Sequence, residues 1–422
     1  MSRRGANEQV EVPKQPKHGL NDAFLEGIAN LPKLLLANAL KDKLAKAGHN
    51  VNDEVAQAFA AHLFNNPDEE FEWDDNSVND IQIDLEFTED DISKLEADVE
   101  KFSEKLLPDI ILKVKDDTVA KILKTLHKDW PNQKAFEAGA VKDFRQRLEV
   151  DWGDAFDLLR MMLVISRETG QEYIEWLNSS EARRNSAKYA CILKLHARGC
   201  QVFMEIICLM ENGFADGAFA RWRTLHEITI VATLLADGDE GLADRYLAHE
   251  CIEAKRSMDH FQLNYAALGY DKPTDEEVKR INADYQRCLD LYGHNFGSQH
   301  GWASEHLHLK KATFRDLETA VGQMSSRSHY QFASYNVHAS AKGINYRLGL
   351  VDQHETLLAG MSNVGFFEPG NNAAQTLVQL NAAIMHDRWD FDTLVIFQIL
   401  LELRKALPPI LSKVQNVIEC RA

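Results

Sequence analysis

Residues 219–235 read FARWRTLHEITIVATLL, and the placing of this stretch decides the fold. At 100° per residue, Phe219, Trp222, Leu225, Ile228, Ile230, Val231, Leu234 and Leu235 fall on nearly every side. A helix without a broad polar face is surrounded by other helices. Arg221, Arg223, His226 and Glu227 nevertheless interrupt it. Arg223 and Glu227 are four apart and stand one above the other. A buried ion without a partner is costly, so other helices must supply the opposite charges.

Outward from this rod, residues 193–210 have helical spacing, stop at Asn212 and Gly213, and predict an antiparallel hairpin with 214–235. DGDEG (237–241) closes the second arm, and 242–265 predict a third helix. Upstream, Thr88 before Glu89, Asp90 and Asp91 marks a helix start, and Pro108 its end. Helices over 109–128 and 134–167 are expected on either side of Trp130 and Pro131. Downstream, 266–300 read as looser, 313–346 as a helix pair, and 373–386 and 390–405 as helices ahead of Pro408 and Pro409. Strand-like alternation is nearly absent. The expectation is an all-α protein, a multi-helix bundle with an antiparallel core hairpin and an additional helical N-terminal region.

The domain reading is a disordered tail over 1–22, a helical segment over 23–65, an acidic linker over 66–82 (NPDEEFEWDDNSVNDIQ), connecting helices over 83–135, and a main bundle over 136–422. The chain has 422 residues and a formal charge of −18, which opposes non-specific binding to nucleic acid. Cys191, Cys200, Cys208, Cys251, Cys288 and Cys420 lack CxxC spacing and read as reduced core residues, not a disulfide framework. The first residues carry no apolar secretory segment, and no apolar run reaches the roughly 18 residues of a membrane span. A cytoplasmic location follows as the expectation. GxGxxG after a strand, P-loop, GxSxG and HExxH patterns are missing, so no cofactor and no metal are expected.

Three constellations could carry chemistry. In the first, Tyr330, Ser334 and His338 recur every four residues as one polar stripe. If that stripe meets Arg223 and Glu227, the five residues line a pocket inside the bundle. Arg223 would then anchor an anion, with Tyr330 and Ser334 binding, and His338 and Glu227 would be the acid/base groups. The same residues could instead form a structural network that fixes helix register. The second is Arg221 and His226, an R-x4-H spacing matching the loose pattern of HEPN-type ribonucleases, where Arg and His activate a ribose 2′-hydroxyl. Trp222 stands where a polar residue is usual, and the motif lies in mid-helix. The third is His294, His300, His306 and His308 with Glu305, and His249 and Glu250 nearby. Metal sites need converging ligands, and no second ExxH motif supports one here.

The runs ENGFADGAFARWRTLHE (211–227), HGWASEHLHLKKATFRDLETAVG (300–322) and YQFASYNVHAS (330–340) resemble a bacterial family of helical proteins of unknown function. In that family a glycine turn leads into an Arg-x3-Glu helix, and a later helix carries Tyr, Ser and His. The resemblance covers about 140–350 and places Arg223, Glu227, Tyr330, Ser334 and His338 at those motif positions. It implies a fold with some likeness to HEPN-type bundles, whose members often serve in toxin and phage-defence systems, and it implies no reaction. A scaffold or protein-binding role remains the competing class. The partner is expected to be a small molecule or a protein, and a homodimer stays open.

Overall fold

A computed structural model describes residues 19–66, 69–73, 82–351, 357–388 and 390–420. The expected tail (1–22) and acidic linker (66–82) lie largely outside the described residues. Every regular element among the described residues is helical. The chain divides into two compact units, Met1–Lys134 and Ala135–Ala422.

The first unit holds α1 (Leu20–Ala29), α2 (Leu31–Lys46), α3 (Asp53–Asn65), α4 (Glu89–Lys101), a π-helical turn (Phe102–Leu106) and the start of α5 (Leu107–Asn178). Its small core joins Ala37 and Leu40 of α2 to Ala56 and Ala60 of α3, with Phe59, Leu85 and Phe87 packed against them. Thr88 begins α4 as expected: its hydroxyl accepts the Asp91 amide, and the Asp91 carboxylate reaches back to the Thr88 amide. Lys43 pairs with the same carboxylate, and this bond, followed by the Thr88 bonds, holds it well below the usual carboxylate range.

The expected breaks at Pro108 and Pro131 do not occur. Pro108 follows directly on the π-helical turn Phe102–Leu106, and the chain stays helical through it into α5. Pro131 leaves the carbonyl of His127 without its donor, but residues 119–134 are exposed all round, so water can take its place.

The second unit continues with α6 (Glu181–Arg184), α7 (Ala187–Glu211), α8 (Ala215–Asp237), α9 (Glu240–Ala248), α10 (Glu250–Asn264), α11 (Asp275–Tyr292), α12 (Gly301–Ser304), α13 (Phe314–Ala320), α14 (Arg327–Tyr335), α15 (Ala341–Asn345), α16 (Phe367–Met385) and α17 (Phe391–Glu419). The quoted stretch is the inner rod: α8 packs between α7 and α16, with α13 and α14 also against it. Phe219, Trp222, Leu225, Ile230 and Leu235 are buried, and the Trp222 indole donates to Thr376 Oγ1 at 2.9 Å. Each such side chain contributes roughly 2–3 kcal/mol on leaving water.

Two glycines stand where these helices come closest. Gly213 turns α7 into α8 at φ +81°, and a Cβ there would meet the Phe144 ring and the Ser362 carbonyl within 3 Å. Gly199 lets α7 approach α16 so closely that a Cβ would overlap Leu380.

Four sequence expectations are corrected. The helix over 242–265 breaks at His249, which is buried with Nε2 2.9 Å from the Ser298 carbonyl. The loose region contains α11, begun by a capping box between Thr274 and Glu277. The last helix runs through Pro408 and Pro409 to Glu419, because Leu407 and Leu411 on either side are fully buried and hold it. Cys251 of α10 and Cys288 of α11 are joined as a disulfide instead of remaining thiols. No helix among the described residues is long and apolar enough to cross a membrane.

Candidate functional site

Three of the five expected residues converge where α14 crosses α8. Arg223 Nε donates to Glu227 Oε1 at 3.1 Å, and the Tyr330 hydroxyl donates to the same oxygen at 2.5 Å. The Arg223 guanidinium also lies over the Tyr330 ring, 4.6 Å from its centroid, a cation–π geometry. Tyr330 is 8% exposed. Burial first, and then the Glu227 carboxylate, push its hydroxyl up to about 12, so at neutral pH it serves as a donor and not as a base. Burial opposes the Arg223 charge, but Tyr330 and Glu227 outweigh it and hold its pKa above the ordinary value.

Beneath this rim lies a second, deeper tier. His226 Nε2 is 3.0 Å from Glu318 Oε1, and Arg327 Nη1 donates to Glu318 Oε2 at 2.7 Å. His226 is 1% exposed and Glu318 not at all. The carboxylate opposite Nε2 places a proton on that nitrogen. Arg327 stands 5.2 Å from the Tyr330 centroid, so Tyr330 joins the two tiers by offering its ring to both guanidiniums. Phe314 closes the side, 5.2 Å from Tyr330 and 6.0 Å from His226.

Ser334 and His338 take no part in these bonds. The Ser334 hydroxyl donates back to the Tyr330 carbonyl on its own helix. α14 ends at Tyr335, and the amides of Asn336, Val337 and His338 turn onto Ala333 and Ser334. His338 is therefore exposed in a turn, and the expected stripe is one residue pair long. The motif of Arg221 and His226 separates in the same way. Arg221 bonds Glu205 and Thr224, whereas His226 bonds Glu318.

The histidines of the third constellation also disperse. His294, His306 and His308 are exposed, Glu305 pairs with Arg245 at 2.6 Å, and His249 faces a carbonyl. His300 is half-buried beside Phe314, its pKa lowered by burial and then by His249. Among the described residues no group of three or more His, Cys, Asp or Glu is set to hold a metal ion. A shallow surface depression lies elsewhere, between Asp216, Phe332, Tyr335, Lys342 and Tyr346.

Sequence reasoning missed Glu318 and Arg327. One signal was present: His226 on an apolar helix needs a partner, and FRDLETAVG supplies a carboxylate, Glu318, five residues after the capping Thr313. It also missed His196, buried on α7 with Nε2 3.3 Å from Asn381 Oδ1 of α16, whose amide donates to Ser166 Oγ of α5 at 2.8 Å.

No curated protein and no solved structure matches the chain. A family described as "Family of unknown function (DUF5677)" matches residues 189–355, a span that includes Arg223, His226, Glu227, Glu318, Arg327 and Tyr330.

Proposed function

We propose that the second unit is a non-enzymatic helical scaffold or protein-binding module, in which the two-tier ionic cluster sets how α8, α13 and α14 meet. One observation carries this reading. Two guanidiniums, two carboxylates, an imidazole and a phenol satisfy one another, leaving the buried Glu318 with a partner on each oxygen. Such a closed network fixes register, as buried polar networks do when every member is bonded. The acid/base histidine of the catalytic reading, His338, stands in an exposed turn outside it. A setting in bacterial stress or phage defence rests on the sequence resemblance, and ribonuclease chemistry at Arg221 and His226 rests on their R-x4-H spacing.

Incubating wild type and His226→Ala with single-stranded RNA separates the readings. The scaffold reading expects no cleavage by either. Cleavage by wild type that His226→Ala abolishes would overturn it in favour of the ribonuclease. A melting experiment tests the structural half: an Arg327→Met variant as stable as wild type would show that the cluster does not hold the helices.

A further inference from the structure

Among the described residues, nothing packs along residues 119–134 of α5. Residues 119–134 are exposed on every side, including Val119, Leu123, Leu126 and Trp130, each at least 49% exposed. An isolated helix of this length is marginal in water, and most helical stability comes from packing an apolar face. Leu112, Val119, Leu123, Leu126 and Trp130 follow at steps of seven, four, three and four, the 3.5-residue period of a coiled-coil seam. On a wheel they fall within about 60° of one another. Lys113, Asp117, Lys121, Lys124 and Lys128 occupy the opposite side.

We propose that this segment pairs with the same segment of a second copy of the chain as an antiparallel two-helix coil centred near Lys121. In that register Leu112 faces Trp130 of the second copy, and Val119 faces its Leu123. The flanking charges then complement each other: Lys115 lies opposite Asp129 of the second copy, and Asp129 opposite its Lys115. A parallel pair would set Asp116 against its own copy across the seam, two like charges face to face. The antiparallel pair sets it against Leu126 instead. The segment thus carries both the apolar stripe and the opposite charges needed to cover itself, and it needs no other protein to do so.

The test is the oligomeric state of the full chain by sedimentation equilibrium. Wild type is expected as a dimer. Leu123→Asp with Leu126→Asp is expected as a monomer whose second unit melts as in wild type. A wild-type monomer at all concentrations overturns the proposal and leaves the stripe to a different partner. A dimer that survives the double substitution overturns it by placing the interface elsewhere. Orientation is read separately. Lys115→Asp should weaken the dimer about tenfold, by setting like charges at both ends. Adding Asp129→Lys in the same chain should restore it. Failure of that rescue would rule out the antiparallel arrangement, because a parallel pair brings residue 129 to residue 134 and not to residue 115.

Discussion

His196 and His226 sit on neighbouring helices of one core, both almost wholly buried, yet they are kept there by opposite means. His196 faces an amide: Asn381 accepts at 3.3 Å and passes its own donors to Ser166 and to the Leu377 carbonyl. No charge stands nearby to offset burial, which pushes its pKa down to about 4. His226 faces a carboxylate, Glu318, whose other oxygen is held by Arg327. A neutral partner ends the network at once. A charged partner calls for another charge behind it, and the chain of bonds runs on until Arg327 and Arg223 reach partial exposure. The reach of the ionic cluster is therefore a consequence of burying one carboxylate.

The difference can be attacked directly. Arg327→Met removes the cation that closes the ionic network and leaves Glu318 with only an imidazole. It is expected to cost roughly 3–5 kcal/mol, measured by urea unfolding. A cost below about 1 kcal/mol would show that His226 alone suffices. Acidification strikes the other histidine. Its native pKa lies below the unfolded value of 6.5, so its contribution is complete above pH 6.5 and fades as the pH falls toward about 4. The loss over that window is about 3 kcal/mol, and His196→Gln should flatten this part of the stability–pH curve. An unchanged curve would mean that other groups set the acid limit.

Asn381→Leu leaves the His196 ring without its partner and should cost about 2 kcal/mol in the same unfolding assay. Tyr330→Phe removes one hydrogen bond but keeps the ring between the guanidiniums, so about 1 kcal/mol is expected. The smallest effect belongs to the rim. Arg223→Met with Glu227→Leu replaces a partly exposed ion pair by apolar groups and should move stability by less than about 1 kcal/mol. A larger loss there would make the rim, and not the buried tier, the part that holds the helices.

The core hairpin was legible in the sequence because its cues are local: a 3.6-residue period on each arm and a glycine that only a tight turn requires. The meeting of Tyr330 with Arg223 and Glu227 was legible as a hypothesis, since charges on an apolar rod ask for partners and Tyr330 opens a polar stripe on a later helix. His338 misled because helical period says nothing of where a helix stops, and α14 stops at Tyr335. Pro131 and Pro408 misled for the reverse reason. A proline weakens a helix by a few kcal/mol, and solvent in one case and buried leucines in the other can offset that. Glu318 reads as an ordinary helical glutamate, and its partner lies 92 residues earlier, a distance no local pattern spans.

One consequence follows from the cysteines of α7. Cys200 is buried beside His196, and burial lifts its thiol to about 11; burial raises Cys191 also. Cys208, on the same helix, is exposed, as is Cys420. Only the thiolate attacks an alkylating reagent. Such a reagent therefore marks Cys208 and Cys420 at once, while Cys191 and Cys200 wait for the helix to come away from its neighbours. The lag between the two pairs is a built-in clock for the breathing of the protein's centre.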